Sequence, residues 1–137
     1  SILIAYHPSL NLDVDMIKPI FDKPKRIKDI LEEISLDDPR WKTFEYLKKK
    51  AVRDKEAGKG FDLQELTGEE EKCGTQGAGY AKVRSTEGRI LHPENPELSR
   101  LFTPIEHARI MGIPESIVTN QSITTAHEIL GQSGSYP

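Results

Sequence analysis

The sequence has a single cysteine, Cys73, in 137 residues. One thiol excludes an internal disulfide framework and leaves too few ligands for a structural zinc site, so no metal is expected and a reducing cytoplasm is the expected compartment. A surplus of charge is also missing. Charged residues make up 30% of the chain, yet the formal net charge is only -3. The molecule as a whole therefore carries no electrostatic footprint for nucleic acid, and any such surface must be local. No apolar run approaches the roughly 18 residues of a membrane-spanning helix, so no membrane partner is expected. Internal repeats are absent too. What is present can fold: Leu, Ile, Val and Phe supply about a quarter of the residues, above the composition of a disordered chain.

The most legible stretch runs from Arg100 to Pro114. Thr103 is placed to cap a helix with its hydroxyl, Pro104 suits the first helical position, and Glu106 can reach back to close a capping box. Leu101, Ala108, Ile110 and Met111 supply apolar positions at roughly helical spacing. Gly112 can take the left-handed conformation that ends a helix, and Pro114 forbids its continuation. A short helix fixed at both ends is predicted.

Elsewhere the patterns are looser. Ser1 to Tyr6 reads as one strand, stopped at His7-Pro8. Residues 11–25 carry Pro19 and Pro24 and read as an extended connection. Ile27, Ile30, Leu31 and Ile34 fall at helical spacing, opposite a face of Lys28, Asp29, Glu32 and Glu33. Asp38-Pro39 reads as the start of a second helix, through Trp41, Phe44, Tyr46, Leu47 and Val52 to about Lys55, stopped by Gly58 and Gly60. Lys48 to Lys50 with Arg53, Lys55 and Lys59 is the most basic patch, and Glu69 to Glu71 the most acidic. Both suit solvated faces, and the basic one also suits phosphate contact.

Residues 74–80 form a glycine-rich loop, Gly-Thr-Gln-Gly-Ala-Gly-Tyr. A nucleotide-binding glycine turn needs a strand before it and a helix after it, and this loop has an acidic run before it and a strand-like one after. Ala81 to Thr86, a turn at Glu87-Gly88, and Arg89 to His92 read as a β-hairpin. Near the end, Ser122 reads as the cap of a last helix holding Ala126, Ile129 and Leu130 and ending at Gly131. The fold class expected is a small α+β domain, with amphipathic helices, an irregular β-hairpin region and short capped helices at the C-terminal end.

Arg100, Thr103, Pro104, Glu106, Arg109, Gly112 and Pro114 stand at the spacing of the ninth conserved block of the DNA cytosine-5 methyltransferases, which this stretch resembles. Thr125 to Ser133 is similar to the tenth block, where a helix leads into Gly-Asn/Gln-Ser beside the cofactor. Ile27 to Glu33 resembles the short helix that opens the family's target recognition domain. Gly134 departs from the valine usual after the tenth-block serine.

The resemblance implies three parts: residues 1–10 as the end strand of a catalytic-domain sheet, 11–99 as the target recognition domain, and 100–137 as the ninth-block helix with the start of the tenth block. Arg100, Thr103, Pro104, Glu106, Arg109 and Gly112 would then organise the module, and Gln132 and Ser133 would lie near S-adenosylmethionine. The implied partners are double-stranded DNA and the remainder of the catalytic domain. Glycine permits close backbone approach to a ligand, and Arg or Lys on guanine is the commonest specific base contact. Thr75, Gln76, Lys82, Arg84 and Arg89 are therefore the candidate DNA-binding residues; a mobile surface loop without function is the bland alternative.

The family's chemistry needs a cysteine thiolate that adds to the ring and an acid that steadies the ring nitrogen, on a base flipped from the duplex. Cys73, in Glu-Lys-Cys-Gly-Thr, lies outside the family's Pro-Cys-Gln and has acidic neighbours that oppose a thiolate. Glu94-Asn95-Pro96 is misplaced for the family's Glu-Asn-Val, and the Phe-x-Gly-x-Gly cofactor turn is absent. No catalytic residue is therefore expected in this chain. With Ser1 opening directly on an apolar run and Pro137 closely following Gly-Gln-Ser, the expectation is a carboxyl-terminal part of a methyltransferase, inactive alone.

Two readings of other classes compete. Residues 106–118 also satisfy a helix-turn-helix spacing, which would make a non-enzymatic DNA-binding regulator. The amphipathic Trp41 helix would alternatively serve a protein-interaction domain.

Overall fold

The computed structural model describes residues 3–16, 18, 24–60 and 62–133. It is a small mixed α+β arrangement of three helices, α1 (Glu45–Glu56), α2 (Pro104–Met111) and α3 (Ile123–Gln132), and a three-stranded sheet, β1 (Glu65–Leu66), β2 (Arg89–Leu91) and β3 (Ser99–Arg100). The expected fold class holds.

The central strand β2 runs parallel to β1, with Leu66 opposite Ile90, and antiparallel to β3, with Ile90 opposite Arg100. A single bridge between Lys42 and Ser99 widens the sheet beyond β3. Ile90 and Leu66 enter the main core with Ile27, Ile30, Tyr80 and Phe102. Tyr80 is fixed there by polar contacts: its hydroxyl donates to the Gly88 carbonyl at 2.6 Å and accepts from the Phe102 amide at 2.9 Å. A second cluster of Ala108, Val118, Ala126 and Leu130 joins α2 to α3.

The expected hairpin over residues 81–92 does not form. Tyr80–Lys82 is a 3-10 turn and Val83 is left-handed at φ 55, so the first strand is never extended. The antiparallel partner of β2 is instead β3, after a turn in which the His92 Nδ1 accepts the amides of Glu94 and Asn95. That turn occupies Glu94-Asn95-Pro96 and leaves Glu94 exposed.

The helix expected from Arg26 shortens to one 3-10 turn, Ile27–Ile30. Its apolar spacing is real, since Ile27 and Ile30 are buried, but the chain leaves as extended backbone at Leu31. A distant partner is responsible: the Glu32 amide donates to Glu106 at 2.8 Å rather than back along a helix. The second helix starts later than Pro39, because the Lys42 amide and carbonyl pair with Ser99 and Phe44 is left-handed at φ 43. Only from Glu45 does the chain become helical.

Residues 3–7 form no strand, and Leu3 and Ile4 are exposed; residues 1 and 2 of the expected strand lie outside the described residues. After Pro114 the chain makes a single 3-10 turn, Glu115–Ile117, before α3 begins at Ile123. A turn of that length is too short for a recognition helix, so the helix-turn-helix reading is not supported. Among the described residues, no helix is long and apolar enough to cross a membrane.

Candidate nucleic-acid interface

The Arg100–Pro114 stretch builds the frame of the site. The Thr103 hydroxyl accepts the Glu106 amide at 3.1 Å, and the Glu106 carboxylate accepts the Thr103 amide at 2.9 Å, which completes the capping box. Pro104 opens α2, and Gly112 closes it at φ 69, a left-handed conformation that would strain any residue with a Cβ.

The Glu106 carboxylate also reaches beyond its own helix. Arg100 donates Nη1 to Oε2 and Nη2 to Oε1, both at 2.8 Å, in a bidentate pair with 2% and 0% side-chain exposure. With the Thr103 and Glu32 amides, four donors converge on one carboxylate. The Arg100 guanidinium in turn sits over the Trp41 ring at 5.2 Å. Arg109 adds a second tie, donating Nη1 to the Ile30 carbonyl at 3.0 Å and Nε to Glu115 at 2.7 Å. Glu32 accepts the Thr103 hydroxyl as well. The expected ninth-block residues are thus gathered on one junction, holding the 27–32 segment and β3 against α2.

The candidate DNA-binding residues divide. Thr75, Lys82 and Arg84 are exposed on the loop and turn. Gln76 and Arg89 are buried, and this corrects the expectation that both face a ligand. The Gln76 amide donates to the Gly74 carbonyl at 2.9 Å and so shapes the loop from inside. Arg89, in the central strand, points between the Phe44 ring, 5.5 Å from its guanidinium, and Glu65 at 3.6 Å. Burial pulls its pKa down from the usual guanidinium value. With residues 81–86 unpaired to β2, nothing brings Arg89 to the surface beside Lys82 and Arg84.

The glycine-rich loop rests on α3. A Cβ at Gly131 would lie 2.2 Å from the Ala78 amide nitrogen and 2.3 Å from the Gly77 carbonyl carbon, so only glycine lets the helix backbone approach the loop this closely. Helix α3 therefore contacts the loop backbone at Gly77 and Ala78, two residues after the exposed Thr75 and its neighbour Gln76. At its C-terminal end Gln132 is exposed and the Ser133 hydroxyl donates to the Ile129 carbonyl at 2.8 Å.

Beneath Tyr80 lies a pair with no counterpart in the sequence reading. His107 and His127 are buried with their Nδ1 atoms 2.9 Å apart. One imidazole must donate and the other accept, which requires the accepting ring to be neutral. Burial holds both well below the usual imidazole pKa, to about 4, and the neighbouring His127 lowers that of His107 further. Cys73 is half-buried and burial pushes its thiol up, away from the thiolate a nucleophile needs. Among the described residues no group of three or more His, Cys, Asp or Glu could hold a metal ion.

Comparison with known proteins places these features in a family. The model of the C-5 cytosine-specific DNA methylases matches residues 1–135. The chain belongs to that family.

This chain is 29% identical over 130 residues to the type II methyltransferase M1.ScrFI of Lactococcus lactis subsp. cremoris, covering 91% of the chain and 32% of that protein. It therefore spans about a third of the length of the curated relative it matches. Its fold is similar to that of the S. pombe Dnmt2 methyltransferase, with a TM-score of 0.59 and 23% identity over 85% of this chain and 39% of that one. It is similar also to the Entamoeba histolytica methyltransferase EhMeth, with a TM-score of 0.55 and 18% identity over 83% of this chain and 38% of the other.

Proposed function

We propose that this chain is the DNA-reading, carboxyl-terminal part of a DNA (cytosine-5-)-methyltransferase, acting on a specific double-stranded sequence. The remainder of the catalytic domain, a partner of this chain, supplies the nucleophile and the acid, and this part alone is inactive. One observation carries the reading: Thr75, Lys82 and Arg84 are exposed on a loop and turn seated on the helix that ends in Gln132 and Ser133.

Each side chain has a role that its chemistry permits. Arg84 presents a guanidinium suited to guanine in the major groove, Lys82 a point charge for phosphate, and Thr75 a hydroxyl for either. The ninth-block junction acts through position. By holding the 27–32 segment and β3 to α2, it sets where the loop stands relative to the catalytic domain.

S-adenosylmethionine, when bound, supplies the methyl group. Gln132 offers an amide that both donates and accepts, and Ser133, whose hydroxyl proton is committed to Ile129, offers oxygen lone pairs; this donor set suits the polar groups of a nucleoside.

Binding of the intact protein to its methylated sequence and to random duplex tests the reading. Arg84→Ala is expected to weaken binding to the specific duplex by the roughly 1–3 kcal/mol of a base contact and to leave random duplex nearly unchanged. Equal loss on both would reduce Arg84 to a phosphate contact, and no loss on either would remove it from the interface.

A further inference from the structure

A cleft of about 500 Å³ opens between α1 and residues 83–86. Leu47, Val83 and Tyr46 line it, and Lys50, Lys59 and Arg84 bring three cations to it against the single carboxylate of Asp54. Ser85 and Thr86 add two hydroxyls. The basic run of the sequence is thereby sorted. Lys48 is tied to Glu97 at 2.7 Å and does not line the cleft, whereas Lys50 lines it and has no carboxylate partner among the described residues. Lys59 lies 3.7 Å from Asp54, so the one acid in the cleft is already countered.

The wall bearing Arg84 is held in an unusual backbone. Val83 sits at φ 55 with its amide donating to the Tyr80 carbonyl at 3.0 Å. A β-branched residue in the left-handed region is a genuine outlier, kept only where its surroundings over-determine it. Here it turns Arg84, Ser85 and Thr86 across from α1, which ends 28 residues before Arg84 in the chain, with the Arg84 guanidinium lying over Gly79.

We propose that this cleft binds the phosphodiester backbone of the nucleic-acid strand, as a second, sequence-independent contact beside the loop. The proposal rests on the reading of the chain as a DNA-reading module and extends it to α1. Cations, hydroxyls and a tyrosine are the side chains that meet phosphate and sugar oxygens, and an open cleft with lysines on one wall and hydroxyls on the other fits a continuous polyanion better than a compact ligand. Lys50 and Lys59 approach phosphates from α1 and its end, and Ser85 and Thr86 donate from the opposite wall.

The test is the salt dependence of binding by the intact protein to its methylated sequence and to random duplex, comparing wild type with Lys50→Gln, Lys59→Gln and, as a control on the same helix outside the cleft, Lys55→Gln. Each cleft variant is expected to flatten the slope of log K against log salt by about 1, equally on both duplexes, while Lys55→Gln leaves it nearly unchanged. These exposed substitutions leave the core intact, and a matching circular dichroism melt confirms it. An unchanged slope in both cleft variants, or the same flattening in Lys55→Gln, overturns the cleft as the contact. Specific binding by wild type with no slope change keeps the DNA-reading function and removes the cleft. Flattened slopes without any preference for the methylated sequence do the reverse, and absence of DNA binding overturns both.

Discussion

Arg100 and Glu106 form a two-pronged ion pair in the interior, and neither has solvent to fall back on. A buried pair of this kind adds little net stability over a well-packed apolar pair, but removing one partner strands the other charge. Glu106→Ala is therefore expected to cost about 3–5 kcal/mol, read as a lowered urea midpoint. Arg100→Met combined with Glu106→Gln should recover part of that loss, because no uncompensated charge remains. A double variant as unstable as the single one would show that the carboxylate matters mainly for the Glu32 and Thr103 amides.

Gly131 gives a sharper packing test. A methyl group there would meet the Ala78 nitrogen at 2.2 Å, and the obstacle is backbone, which cannot swing aside. Gly131→Ala should cost at least the roughly 1–3 kcal/mol of overpacking and displace the loop from α3. A Cβ at Gly60 meets nothing within 4 Å, so Gly60→Ala should leave the melting temperature nearly unchanged. Equal melting temperatures for the two variants would contradict the close approach of loop and helix.

The His107–His127 pair predicts a pH dependence of stability. Folded pKa values near 4 lie below the ordinary 6.5, so the unfolded chain takes up protons first as pH falls. Stability from the neutral pair is full above about pH 6.5, declines as pH drops through the window, and is lost by about pH 4. The ring packed edge-on against both members of the pair is Tyr80, whose phenol burial pushes up. Urea midpoints between pH 8 and 4 should fall for the wild type. In His107→Phe with His127→Leu the fall between pH 6.5 and 5 should shrink, whatever the absolute stability of that variant; an unchanged fall would assign it to other groups.

How much of this was legible in sequence depended on how local the cause was. The capping box of Thr103 and Glu106, with Pro104 before and Gly112 after, is written within ten residues and forms as read. The Ser122 cap of α3 is equally local and forms with a 3.2 Å bond to the Thr125 amide. The segment from Arg26 carried a true apolar pattern, but its second turn gave way to Glu106, 74 residues away, which no local spacing announces. Likewise Arg89 looked exposed because β2 was paired with the wrong neighbour; its true partners, β1 and β3, put it inside.

At the site the same rule holds. Residue types pointed to Arg84, Lys82 and Thr75, which are on the surface, while Gln76 carries the same polar signal and is buried under its own loop. Lys50 and Lys59 could be named as basic, but only the fold sets them across a cleft from Arg84. The histidine pair left no signal, since 20 residues separate two side chains that only packing of α2 on α3 brings together.

The central claim is that this chain reads the sequence a methyltransferase modifies. Bisulfite sequencing of DNA treated with the intact protein and S-adenosylmethionine, for wild type and Arg84→Ala, tests it most directly. The account predicts methylated cytosines in one sequence context for wild type, and for Arg84→Ala a lower yield with relaxed preference at one flanking base pair. An Arg84→Ala pattern identical to wild type in context and yield would contradict it.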